Sequence, residues 1–99
     1  MKILIDADGC PVVDLTLQAA AEHGLEAILF CDTSHEFKEK NARVVTVDKG
    51  SDSADFALIR QVKPGDIVVT QDYGLAAMVL AKRGYPITQN GKRLTDANI

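Results

Sequence analysis

Long apolar runs are missing from this chain. None approaches the roughly 20 residues that a helix needs to cross a bilayer, so no membrane-spanning segment is expected. Cysteine is scarce: only Cys10 and Cys31 occur, and neither belongs to a C-x-x-C pair or a Cys/His ligand spacing. That excludes a sequence-encoded zinc motif and points to two reduced thiols. A basic excess is also absent. Eleven Lys and Arg against 14 Asp and Glu leave a net charge of −3, too acidic for strong nonspecific binding through phosphate contacts. A nucleic acid whose phosphates are met by metal ions stays compatible with that balance. No internal repeat, low-complexity tract or linker interrupts the chain. Met1 and Lys2 lead straight into a strand-like run without a signal-peptide region, so a cytoplasmic location is expected.

What is present suits one small globular unit with a single core: 99 residues, 46% apolar and 25% charged. Residues 2–7 read as a buried strand, and Pro11 suits the first turn of a helix running to about His23, with Gly24 as its stop. Val13, Leu17 and Ala20 recur at helical spacing. The runs 26–31 and 42–47 are short, apolar and β-branched, and predict strands, with a polar loop or single helical turn between them. A second helix is expected within 50–66, with a capping Ser51, acids in its first turn, and Phe56, Ile59 and Val62 on one stripe. Residues 66–70 read as a fourth strand, and 74–84 as a third helix ending at Gly84. This alternation implies right-handed crossovers and a mainly parallel sheet covered on both faces.

In such sheets ligands bind beyond the carboxyl ends of the strands. Asp6 and Asp8 close the first strand, Asp72 follows the fourth, and Asp52 and Asp55 open the helix after the third. All five acids are therefore expected on one edge. Asp52 and Asp55, three apart, share a helical face, and Asp6 and Asp8, two apart, share a side if the strand continues. Carboxylates gathered this way repel one another unless a divalent cation neutralises them, and oxygen-only ligands favour Mg²⁺ or Mn²⁺ over zinc.

Each acid also has an ordinary reading. Asp52, Ser51 or Asp72 reads equally as a plain helix cap, and Asp8-Gly9 as a plain turn. Cys10 suits a small buried thiol or, at a helix N-terminus, a nucleophile. Ser34-His35 resembles half of a hydrolytic pair or simply a loop. Thr70 is placed to donate to a phosphate oxygen or to satisfy local backbone, and Ser34 and Lys49 are further candidate substrate contacts. Lys82, Arg83, Lys92 and Arg93 fringe the same region or, for Lys82 and Arg83, complement a helix end. Asn90-Gly91 reads as a tight turn.

The stretches "IDADGCPV", "GSDSADFALI" and "GDIVVTQDYGLA", in that order, resemble the YaiI/YqxD family of small bacterial proteins, grouped with the PIN-like nuclease folds. The likeness covers essentially the whole chain, with Gly9 standing where family members usually carry alanine. It implies a three-layer α/β PIN-like domain over residues 1–99. Members usually extend further with a more basic tail, so a C-terminal extension is expected to be missing. By the same likeness Asp6 matches the acid ending strand one, Asp72 the acid after the later strand, and Asp52 or Asp55 the helix-borne acid.

The leading functional expectation is metal-dependent phosphodiester hydrolysis, with RNA the favoured substrate. Asp6, Asp72 and one of Asp52 or Asp55 would hold Mg²⁺ or Mn²⁺, and Asp8 would complete the ligand shell or position water. A second expectation is a haloacid-dehalogenase-like phosphatase, with Asp6 as nucleophile and Asp8 as general acid. Against it, no flap separates the first strand from its helix, and no lysine stands clearly in place after a later strand. A third is a non-catalytic metal-binding or phospho-receiver-like module, in which Asp48 would accept phosphate and Thr70 would sense it.

Overall fold

The computed structural model describes residues 1–7, 12–32, 42–48 and 53–98. Within them the chain forms β1 (Lys2–Asp6), α1 (Val13–Glu22), β2 (Glu26–Asp32), β3 (Arg43–Val47), α2 (Ser53–Gln61), β4 (Ile67–Val69), α3 (Tyr73–Ala81) and β5 (Tyr85–Ile87). The five strands make one sheet in the order β3-β2-β1-β4-β5. All four pairings are parallel. The strand at the centre is the one that opens the chain. The α/β expectation holds, and the arrangement is that of a three-layer PIN-like domain.

Alternation along the strands divides the core in two. On one face Ile3, Ile5, Ala27, Leu29, Cys31 and Val69 pack with Val13 and Ala20 of α1, with Leu17 half-covered beside them. On the other, Leu4, Ile28, Phe30 and Val68 meet Ala57, Leu58 and Val62 from the α2 region and Leu75 and Val79 of α3. A strand covered on both faces must be apolar at every position, which is why Ile3-Leu4-Ile5 and Ala27-Ile28-Leu29-Phe30-Cys31 read as unbroken hydrophobic runs. Among the described residues no helix is long and apolar enough to cross a membrane.

Several expectations need correction in detail. The inward face of α2 carries Ala57 and Leu58, not Phe56, which is 58% exposed. Of the expected stripe, Val62 is buried and Ile59 packs against the core, and Phe56 alone turns outward. The fifth strand was not anticipated, because three residues with Pro86 at their centre carry almost no period-two signal. Its position at the sheet border is what makes proline admissible, since no further ladder needs its missing N–H. Gly24 is left-handed at φ 65°, as a helix stop should be. After α3, however, the left-handed residue is Arg83 at φ 64°. Gly84 serves close approach instead: a Cβ there would lie 2.7 Å from Val79 Cγ1 and 3.2 Å from the Asp66 carbonyl oxygen.

At the amino edge of the sheet, Asp66 ties β4 to β1. One carboxylate oxygen accepts from the Lys2 backbone N–H at 3.1 Å. The other accepts from Lys2 Nζ at 2.6 Å and from the Lys63 N–H at 2.9 Å. Burial pushes the Asp66 carboxyl up, but the Lys2 ammonium, the two N–H donors and the Lys2 charge outweigh it. The group sits below its ordinary value of 3.8. Beyond β5, Gly91 N–H donates to the Thr88 carbonyl at 2.9 Å, confirming the Asn90-Gly91 turn. The chain then returns beside β5, with Leu94 fully buried and its N–H on the Pro86 carbonyl at 2.9 Å.

Candidate functional site

The carboxyl edge is built around the two central strands. Parallel register sets Ile5 opposite Val69, so the next residues along, Asp6 and Thr70, come level as β1 and β4 end. Thr70 is 2% exposed, and its hydroxyl donates to Asp6 Oδ2 at 3.0 Å. Thr70 Oγ1 in turn accepts the Asp72 backbone N–H at 3.0 Å. Thr70 therefore spends its hydrogen on Asp6 and receives one from the residue carrying the second acid. Of the two roles expected for Thr70, satisfying local backbone is the one seen, through the Asp72 N–H, and its hydrogen is spent on the Asp6 carboxylate.

Asp72 is the N-cap of α3. Its Oδ1 accepts from the N–H groups of Gly74 at 2.8 Å and Leu75 at 3.2 Å. The capping reading is thus correct. It does not use up the side chain, because both bonds fall on Oδ1 and leave Oδ2 for a ligand. Gln71, not a candidate from its sequence context, accepts the Gln89 N–H at 2.9 Å on Oε1 and so tethers the β4–α3 connection to the turn after β5. Only the fold reveals that contact, since it joins residues 18 apart in sequence.

The structure brings Asp6, Thr70 and Asp72 together. Asp55 stands half-buried in the first turn of α2. Among the described residues no three His, Cys, Asp or Glu side chains gather closely enough to hold a metal ion. Asp8, Asp52, Ser34, Lys49, Ser51 and Cys10 lie outside the described residues. Cys31 is a buried thiol whose Sγ lies 3.8 Å from Thr46 Oγ1. Asp48 follows β3, which borders the sheet and is separated from β1 by β2. With neighbouring strands about 4.8 Å apart, β3 lies on the order of 10 Å from β1 across the sheet.

A family model described as "Uncharacterized BCR, YaiI/YqxD family" matches residues 4–99. The chain belongs to the YaiI/YqxD family. Its curated relatives include a UPF0178 protein of Exiguobacterium sibiricum, 54% identical over 99 residues, all of this chain and 67% of the relative. UPF0178 proteins of Lachnoclostridium phytofermentans and Alkaliphilus oremlandii are each 50% identical over the same 99 residues, covering 66% and 64% of their own lengths. The chain thus spans about two thirds of the length of the YaiI/YqxD relatives it matches. No solved structure matches it.

Proposed function

We propose that this family member is a divalent-metal-dependent phosphodiesterase acting at the carboxyl edge of its sheet, with single-stranded RNA the favoured substrate. The observation that carries the reading is the Thr70 hydroxyl, which joins Asp6 to the main chain of Asp72 where two central parallel strands end. A buried hydroxyl spent on orienting one acid and anchoring another is an arrangement that folding alone does not require, and the edge is where such sheets bind ligands.

The donor chemistry fits a hard cation. Asp6 and Asp72 offer carboxylate oxygens only, which suits Mg²⁺ or Mn²⁺, and Asp8 and one of Asp52 or Asp55 are the proposed further ligands. Such an ion, when bound, neutralises phosphate charge and lowers the pKa of a water molecule. The protein's own residues do the rest. Thr70 keeps one Asp6 oxygen fixed, so the carboxylate does not have to be ordered when substrate arrives. The Asp72 cap holds the second carboxylate to the rigid start of α3. Asp8 would position the attacking water. In the reaction a water oxygen bonds to phosphorus, the phosphorus–oxygen bond to the leaving nucleoside breaks, and that oxygen takes up a proton.

The test uses the 99-residue chain with single-stranded RNA and millimolar Mn²⁺. Asp6→Asn and Asp72→Asn should each abolish Mn²⁺-stimulated cleavage with unchanged thermal unfolding, because asparagine keeps an oxygen to accept from Thr70 at position 6 and keeps the α3 cap at position 72. Thr70→Val should lower the rate at saturating Mn²⁺. Cleavage that survives both asparagine variants refutes the proposal.

A further inference from the structure

The two faces of the sheet are not covered alike. On one, α2 and α3 overlie β2, β1 and β4. On the other, α1 is the one helix among the described residues, and it packs over β1 and β2. Beside it, over β4 and β5, lies an open apolar trough of about 340 Å³. Its walls include Ile3, Ile67 and Ile87 from the strands and Leu15 and Ala19 from α1. Leu15 is 66% exposed on this rim. Gln89 also lines the trough, and its Oε1 is buried without a hydrogen-bond partner.

Parallel sheets occur almost only with both faces covered, so an open apolar half-face implies a covering element. Its size is set by geometry. Two strands about 4.8 Å apart present a strip roughly 10 Å wide, the width of a single α-helix. The orphaned Gln89 oxygen asks in addition for one hydrogen-bond donor from the occupant, since a buried acceptor left unpaired is costly. The relatives contain further chain that could supply it: about a third of the Exiguobacterium protein lies outside the part that corresponds to this chain.

We propose that the trough is the seat of one amphipathic α-helix, supplied in the longer relatives by that additional third of the chain, with its apolar stripe on Ile67 and Ile87 and a donor on Gln89 Oε1. The site is on α1's side of the sheet and does not depend on the chemistry assigned to the acidic edge.

The chain contains no tryptophan, so Leu15→Trp on the exposed rim gives a single reporter. The residues of the Exiguobacterium protein outside the matched region, produced as a separate polypeptide, should shift its emission to the blue, saturate at one to one and raise the helical circular dichroism of the mixture. Ala19→Arg, at an exposed helical position that lines the trough, should remove the shift while leaving the fold intact. Gln89→Leu should weaken it on the order of tenfold, the loss of one hydrogen bond.

Should the separate polypeptide be unstructured, the intact relative carries the test. Cysteine at its counterpart of Leu15 should resist a maleimide that modifies Leu15→Cys in this chain. Equal modification in both proteins overturns the proposal. So does a blue shift that depends on this chain's own concentration, which would make the seat a dimer contact, or one produced by a medium-chain fatty acid and not by the polypeptide.

Discussion

Replacing Asp66 by asparagine should destabilise the protein far more than a single added proton's worth of change suggests. The carboxylate accepts three hydrogen bonds, two from Lys2 and one from the Lys63 backbone, and its side chain is 4% exposed. Asparagine has one acceptor oxygen in place of two, so its NH₂ must confront either the Lys2 N–H or the Lys2 ammonium and the Lys63 N–H. Removing one member of a buried ion pair costs about 3–5 kcal/mol, and the 17% exposure of Lys2 gives its ammonium some access to water, which favours the lower end. We expect about 3 kcal/mol, or a fall in Tm of about 12–24 °C for a domain of this size.

Lys2→Met should cost less, about 1–2 kcal/mol, because both backbone donors to Asp66 remain. The pH dependence gives the sharper check. The folded carboxyl lies below its unfolded value of 3.8, so its stabilisation is complete above that pH and is lost as pH falls through the lower, folded value. Urea unfolding of wild type and Asp66→Asn should therefore differ most near neutrality, with the gap closing from about pH 5 towards about pH 2. A gap that stays constant over that range, or a Lys2→Met loss larger than that of Asp66→Asn, would refute the reasoning.

Other substitutions separate structure from chemistry. Asp72→Ala should lower stability by about 1 kcal/mol through loss of the α3 cap, measurable by thermal melting, whereas Asp72→Asn should not. Gly84→Ala should cost about 1–3 kcal/mol, since its methyl group would press on Val79 and on the Asp66 carbonyl, and a melting temperature equal to wild type would show that the contact relaxes freely. Leu94→Ala should cost about 2–5 kcal/mol, as expected for a fully buried leucine, and would show by urea titration that the segment after β5 is part of the core.

The sequence made the sheet legible wherever burial on both faces forces continuous apolar residues. Ile3–Ile5, Ala27–Cys31 and the run through Val69 announced their strands, and Gly24 announced the end of α1. It also placed Asp6 and Asp72 on one edge, because that follows from strand direction alone. What it hid depends on long-range pairing. Thr70 looked like a phosphate contact until the register of β1 and β4 set its hydroxyl on Asp6. Asp66 looked like the first residue of a strand until Lys2 arrived from 64 positions away. In the α2 region Ile59 and Val62 pack inward as their spacing predicts, but Phe56 does not, although a large aromatic residue is usually well buried. Tertiary placement turned it outward and buried the smaller Ala57 and Leu58.

The border formed by β5 has a consequence for how copies of this molecule meet. Pro86 offers no N–H there, its carbonyl already receives Leu94, and the Thr88 N–H is taken by the Lys92 carbonyl. A foreign strand arriving at this margin finds its docking points either absent or engaged, so sheet growth from molecule to molecule is blocked on that flank. Self-association, where it occurs, must use side-chain surfaces there and not main-chain stitching.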